Sequence, residues 1–330
     1  MRSMMQTMKQ QFSAGMDLIL VTVTAASGAT PRGAGARMLV NEQGRICGTI
    51  GGGAVEHRAI QIAQTVLMEK SSRYHDFTLT RDDVEKLGMI CGGAVQVFFH
   101  YLPCTDNNTL SLADEAEQHF SRQEDLWLLC DLSGGGTLSL HTKENCPPWL
   151  KPFLDRHPKR ITHDACDYFL EQIGFSGRVY IMGGGHVAQE LVPVLEHVGF
   201  HCVVMDDRPE FTDPALFPAA SQVLKVNFSR IYDHISLKKQ DYVCVMTRGH
   251  AYDTLVQAQV LRSDVCYIGV IGSASKAAGV RKALIETYGF TDKDVDRIRT
   301  PIGLKISAET PAEIAISIAA ELISVRAEQP

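Results

Sequence analysis

The stretch from Arg178 to Glu190 reads RVYIMGGGHVAQE. A short apolar run ends in three glycines, and helical spacing of apolar residues begins at once. Strand, glycine turn and helix in that order leave the backbone few folds. Gly183 permits the tight turn, Gly185 lets a phosphate approach the backbone with no Cβ in the way, and Ala188 lets the helix pack closely on the strand. The helix start offers unpaired N–H groups and a partial positive charge to an anion. His186 sits in the first helical turn, where it either points toward a ligand or faces solvent. A second apolar run follows and ends in Asp206-Asp207, 21 residues beyond Gly185, where a carboxylate would meet a ribose diol.

The pattern continues to the C-terminus. Further strands are expected at 201–205, 222–226, 241–246 and 266–271, alternating with helices at 186–198, 251–262 and 275–288. Strands alternating with helices predict a parallel, doubly wound sheet over 173–330. Two of its loops fall where such sheets put their ligands, beyond the carboxyl ends of strands. Met246 to Asp253 gathers Arg248, His250 and Asp253 at one strand end, which suits anion binding and proton transfer. Gly272, Ser273 and Ser275 lie at a helix start with Lys276 in its first turn, a second candidate anion pocket. Thr310-Pro311-Ala312-Glu313 reads as a capping box opening a last helix, with Ile314, Ile318, Leu322 and Val325 on its apolar face.

The first part has a different texture, and residues 1–172 are expected to form a smaller α+β domain with a connecting segment. Asp17 to Thr24 is a β-branched run. Arg37 to Val40, the turn Asn41 to Gly44 and Arg45 to Ile50 predict a hairpin. Gly51-Gly52-Gly53 leads into a helix to Glu69, and strands are expected at 73–79, 94–101, 126–131 and 137–141 around a helix at 110–121. Residues 143–177, with four prolines, read as a connection.

Net charge is −6 and no polybasic block occurs, so nothing points to nucleic acid. Apolar runs fall well short of a membrane span, and Met1 to Gln11 is too polar for a secretory signal, which leads to the expectation of a cytoplasmic protein. The nine cysteines form no C-x-x-C pair, which argues against a disulfide framework or structural zinc. Cys130, Cys202, Cys244 and Cys266 lie in apolar runs and read as small buried hydrophobes. Cys91 opens a C-G-G turn instead.

Taken in order, VTVTAASGATPRGAGARMLV, GTIGGGAVEHRAIQIA, LGMICGGAVQVFFHY, the glycine turn with its following strand, VMTRGHAYD, YIGVIGSASKAAGVRKAL and TPIGLKISAETPAEIAISIAAEL resemble the xanthine dehydrogenase accessory (XdhC/CoxI) family. The resemblance spans about 17–101 and 178–326. It implies a C-terminal Rossmann-like domain and a carrier that binds the molybdenum cofactor, as molybdopterin or its dinucleotide form, assists its sulfuration and passes it to an apo molybdenum hydroxylase such as xanthine dehydrogenase. A cysteine desulfurase or other sulfur donor is an implied partner, and a homodimer is expected.

Residue by residue, the resemblance makes Ser27, Pro31, Arg32, Gly33, Gly51, Gly52, Gly53, Glu56 and Cys91 candidate cofactor contacts, with Cys91 a candidate molybdenum ligand. In the C-terminal part it adds Gly183, Gly185, His186, Asp206, Arg208, Arg248, His250, Asp253 and Ser273. Arg37 is a further candidate for phosphate, and Glu56 serves either a pterin N–H edge or its own helix start. Where some relatives carry a cysteine before the Val-Glu of the second motif, this chain has Ala54. A competing reading is an NAD(P)-dependent oxidoreductase with His250 and Asp253 as an acid–base pair, although the first part resembles no familiar dehydrogenase substrate domain. A third is a nucleotide-sensing module that regulates delivery.

Overall fold

The structure is a computed structural model. It describes every residue except 29, 31, 79–92, 134, 135, 176, 249 and 330, and leaves the side chains of 78, 250, 251, 274 and 275 undescribed. Cys91 and Pro31 therefore lie outside the described residues. The chain divides into two compact units, Met1–Phe175 and Ser176–Pro330.

The first unit holds two antiparallel sheets. Strands β1 (Leu18–Gly28), β2 (Arg37–Asn41), β3 (Gly44–Thr49), β4 (Arg73–Thr78) and β5 (Gly93–Leu102) form the order β3-β2-β1-β5-β4. The expected hairpin is present, with Asn41 paired to Gly44 across its turn. Side chains alternate along β1. Ile19, Val21 and Val23 pack under α2 (Gly53–Glu69), while Leu18 and Leu20 face α1 (Arg2–Ser13) and α3 (Asn107–Arg122) on the other side.

The proline-marked stretch 143–177 is more than a connection. It contains β8 (Lys159–His163) and β9 (Cys166–Gly174), which complete a four-stranded sheet of order β7-β6-β9-β8 with β6 (Leu126–Asp131) and β7 (Leu138–His141). Its prolines lie before β8, where they cost no ladder hydrogen bond. The N-terminal segment, though polar overall, is the helix α1. Met4, Met5, Met8 and Phe12 recur at helical spacing and are buried.

The second unit is a six-stranded, wholly parallel sheet. In chain order the strands are β10 (Arg178–Met182), β11 (His201–Asp206), β12 (Gln222–Lys225), β13 (Tyr242–Val245), β14 (Tyr267–Val270) and β15 (Ile298–Arg299). Their spatial order, β12-β11-β10-β13-β14-β15, is that of a dinucleotide-binding doubly wound fold. Helices α4 (His186–His197) and α8 (Pro311–Glu328) cover one face, against Val179 and Ile181. Helices α5 (His250–Val260), α6 (Ala274–Glu286) and α7 (Asp292–Val295) cover the other, against Tyr180 and Met182. The capping box of α8 is formed in both directions, and Ile318, Leu322 and Val325 are buried beneath it.

The strand order reverses between β10 and β13, so a crevice opens beyond their carboxyl ends. Cys130, Cys202 and Cys244 are buried as expected, while Cys266 is only half-buried. Burial pushes the Cys130 thiol up to about 12, which makes it inert as a thiolate. Among the described residues no helix is long and apolar enough to cross a membrane.

Candidate functional site

In the first unit, the exposed Ser27 is the penultimate residue of β1, and the loop that follows carries the exposed Arg32. The chain re-enters the sheet at Arg37, which is only 8% exposed. This loop, β2, β3 and β9 wall a cavity of about 590 Å³ lined by Arg32, Gly35, Arg37, Thr49, Glu171 and Gln172. Gly35 must be glycine, because its φ is +90° and a Cβ would lie 2.8 Å from Pro158 Cγ and 3.1 Å from Glu171 Oε2.

Two buried hydrogen-bonding groups near this cavity lack a partner among the described residues. Arg37 Nη2 lies 2.6 Å from Glu171 Oε2, yet Arg37 Nε has no partner among the described residues. Gln172, the next residue in β9, turns its side chain to the opposite face, beside its cross-strand partner Trp127, where Nε2 donates to Asp125 Oδ1 at 2.9 Å and Oε1 is buried without a donor among the described residues. Burial pushes the Glu171 carboxyl up, and the Arg37 charge only partly reverses this. A buried donor and a buried acceptor left unsatisfied cost free energy unless something else pairs with them. Neither Glu171 nor Gln172 was among the sequence candidates, since the stretch that holds them reads as a connection.

The turn Gly51–Gly53 is shaped by its own chain. All three glycines have positive φ, and Gly52 caps α2 without a side-chain bond. Glu56 Oε2 accepts hydrogen bonds from Thr49 Oγ1 at 2.5 Å, Ile50 N at 3.0 Å and Gly52 N at 3.1 Å. Arg45 Nε lies 3.4 Å from its other oxygen. Burial opposes the charge, but these donors and Arg45 outweigh it and hold the carboxyl below its ordinary range. The geometry places Glu56 as the clamp of this turn.

In the second unit the three glycines differ. Gly183 has φ +122°, and a Cβ there would fall 2.2 Å from the Met246 carbonyl oxygen at the end of β13. A Cβ on Gly184 would fall 2.4 Å from the Phe211 carbonyl oxygen. Packing alone thus demands the first two. Gly185 has φ −67°, and a Cβ there would meet nothing within 4 Å. No packing contact demands it, although glycine is a favoured N-cap, and its open side leaves the backbone approachable. Helix α4 starts there without a side-chain cap, and His186 beside it is exposed.

Asp206 is 1% exposed. Its oxygens accept from Gly184 N at 2.8 Å, Arg208 N at 3.0 Å, Arg208 Nε at 2.9 Å and Arg208 Nη2 at 2.9 Å. A carboxylate offers about four acceptor positions, and here four N–H groups fill them. Burial raises its carboxyl less than these bonds lower it, so it lies below the ordinary range. The Arg208 guanidinium also stacks 3.8 Å over the Phe211 ring. A ribose diol can reach Asp206 only by displacing Arg208.

Beyond β13, Arg248 is exposed. Asp253 is fully buried, accepts from Thr247 Oγ1 on one oxygen and pairs with Lys276 Nζ on the other. That carboxylate is spent, and the side chain of His250 lies outside the described residues. Ser273 caps α6 by accepting from Lys276 N at 3.3 Å. Lys276 is thus turned toward Asp253 and brings no unspent charge to the α6 start. Among the described residues no group of three His, Cys, Asp or Glu could hold a metal ion.

A dinucleotide-type parallel sheet is thus joined in sequence to an antiparallel unit with a polar-lined cavity. Family models match both parts: the XdhC Rossmann domain over residues 179–322, and the XdhC and CoxI family over residues 12–95. The chain belongs to the XdhC/CoxI family. It is similar to YqeB of Escherichia coli K12 (24% identity over 94% of this chain), spanning only 44% of that protein's length. It is also similar to a Bacillus subtilis 168 protein named as a probable subunit of xanthine dehydrogenase, at 23% identity over 94% of this chain and 93% of that one. The molybdenum cofactor insertion chaperone PaoD of E. coli K12 is 22% identical over 99% of this chain and 89% of its own. The fold matches a Bacillus halodurans crystal structure described as a xanthine dehydrogenase, with a TM-score of 0.79, 22% identity and coverage of 99% and 96% of the two chains.

The two glycine turns respond differently to substitution. Glu56→Ala strands the Ile50 and Gly52 N–H groups and should cost about 1–3 kcal/mol at neutral pH. Because the folded carboxyl lies below its ordinary 4.5, its contribution is complete above that value and fades as pH falls below it. Urea unfolding of both proteins at pH 7 and at stepwise lower pH should show the gap closing below that value. In the second unit, Gly183→Ala should fail to fold or melt far below the parent. Gly185→Ala should lose only the small N-cap preference for glycine and melt slightly below the parent, read by circular dichroism.

Proposed function

We propose that this protein is an accessory carrier that binds the molybdenum cofactor, assists its sulfuration and delivers it to an apo molybdenum hydroxylase such as xanthine dehydrogenase. Family membership supports the accessory role, as do relatives named for xanthine dehydrogenase and for cofactor insertion. The observation that carries the reading is the cavity of the first unit, with Arg32 and the buried Arg37, whose Nε has no partner among the described residues, in its lining.

Those residues fit the cofactor's chemistry. Arg37, with the exposed Arg32 at the rim, matches a phosphate, for which a guanidinium is well suited. When bound, the cofactor supplies the recipient enzyme's redox centre. The protein's own part is to hold the phosphate, orient the ring and keep the centre from bulk water until transfer. Gly185 and the start of α4 offer backbone donors to a second anionic group, such as that of a dinucleotide form.

Cys91 is the one cysteine in a family motif and is the residue we assign to sulfur handling, as a soft ligand for molybdenum. The recipient apo-enzyme and a sulfur donor are the expected partners, and the carrier acts as a homodimer. The saturated Asp206 and the spent Asp253 favour a carrier over a dehydrogenase.

The test is metal and pterin analysis of protein purified from a host that makes the cofactor. The parent should retain molybdenum and pterin in about equal amounts. Cys91→Ala should retain less of the sulfurated form while melting normally. Parent protein with no more metal and pterin than an unrelated protein from the same host would overturn the reading.

A further inference from the structure

Helix α8 is apolar toward solvent as well as toward the sheet. Its inner side buries Ile318, Leu322 and Val325. Its outer side carries Ala312, Ile316, Ala320, Ile323 and Ala327, with no charged residue among them. Ile316 is 51% exposed and Ile323 39%. The loop leading to the helix adds the exposed Leu304 and Ile306. Leu304 is tied to α8, since its carbonyl accepts from Ser317 Oγ at 2.6 Å and its N–H donates to Ser317 O at 3.2 Å. Nine large apolar side chains are exposed among the described residues, and four of them fall on this helix and loop, which is more than the single scattered apolar residues of an ordinary surface. A helix apolar on both sides is normally covered on both.

The spacing on the outer side points to what covers it. Ile316, Ala320, Ile323 and Ala327 follow steps of four, three and four residues, the seam of a coiled coil, with isoleucine and alanine in alternation. Laid antiparallel on a second α8, this seam sets Ile316 against the partner's Ala327 and Ala320 against the partner's Ile323. Each large side chain then meets a small one, and the helices can approach closely. A parallel pair would stack isoleucine on isoleucine. It would also set Glu313, the next seam position toward the helix start, against its own copy, a like-charge contact. The antiparallel pair leaves Glu313 past the partner's last turn, in water. An 18-residue helix is about 27 Å long and about 10 Å across, so its outer face offers roughly 300 Å², which Leu304 and Ile306 widen. Two such faces fall below the total of about 1,200 Å² from which stable interfaces begin, so the area suits a reversible pair.

We propose that the outer face of α8 docks a second copy of this chain, as an antiparallel helix pair about a twofold axis between Ala320 and Ile323. The contact is isologous, the same strip on both copies, so it closes on itself and does not propagate. It rests on the homodimer stated above and assigns the surface that forms it. The cofactor cavity of the first unit takes no part in it.

Sedimentation velocity of the full chain, from micromolar to millimolar concentration, should show monomer passing into dimer. Ile316→Glu puts a carboxylate in the seam and should fold as the parent does yet stay monomeric throughout. Ile323→Glu should do the same and serves if Ile316→Glu does not fold. Under mild oxidation an equimolar mixture of Ala320→Cys and Ile323→Cys proteins should form covalent dimer faster than either alone or the parent, because those two positions meet only across the antiparallel pair. A parent monomeric at every concentration overturns the proposal and the homodimer together. If apo-hydroxylase then binds the parent and not Ile316→Glu, the face belongs to the recipient enzyme. A parent dimer that both glutamate variants leave intact overturns the proposal alone, as does cross-linking no faster in the mixture than in Ala320→Cys by itself. Molybdenum retention should match the parent in every variant, so cofactor binding is judged separately.

Discussion

A buried ion pair joins the two sheets of the first unit. Arg37 comes from β2 of one and Glu171 from β9 of the other, 2.6 Å apart and almost out of reach of water. Removing two charges from water costs several kcal/mol for each ion, and the attraction between them offsets this only when the geometry is good. Well-packed apolar residues often do as well or better for stability. The pair therefore does not need to be there for the sheets to hold together. What it does is place a guanidinium, whose Nε has no partner among the described residues, in the lining of a cavity. Gly35, which a Cβ would drive into Pro158, lets the loop bearing Arg32 close over the same space.

The second unit uses a dinucleotide-binding frame in an altered way. Its strand order and glycine turn are those of that fold, and the crevice lies where the order reverses. The acidic residue at the end of β11 is nevertheless saturated by Gly184 and Arg208, and Arg208 is pinned on the Phe211 ring. The helix start stays open in this arrangement, while the Asp206 carboxylate is closed to a ribose unless Arg208 moves. A frame that holds a phosphate without gripping a ribose suits a carrier better than a hydride-transfer enzyme.

Much of this fold was legible where local rules and tertiary packing agree. The β10–α4 unit, the Asn41–Gly44 hairpin and the Thr310–Glu313 capping box all stand where turn and cap chemistry put them. Helix α1 was not, because its four buried apolar residues are diluted among polar neighbours and only their spacing betrays a packed face. Strands β8 and β9 were hidden by the prolines before them, and with β9 went Glu171 and Gln172. The partners of the candidate carboxylates were hidden too. Asp206 was legible as a carboxylate at a strand end, yet nothing local says that Arg208, two residues on, folds back to fill it. Lys276 sits in the first turn of α6, and only the packing of α6 beside α5 turns it to Asp253 instead of outward.

Delivery of the cofactor by this protein requires that the cavity beside Arg37 hold it. A crystal of the protein purified with its cofactor, measured on both sides of the molybdenum absorption edge, tests this directly. An anomalous peak in the first unit, with phosphate density at Arg37 Nε, is the expected result. A molybdenum peak elsewhere, with only solvent beside Arg37 and Arg32, would contradict it.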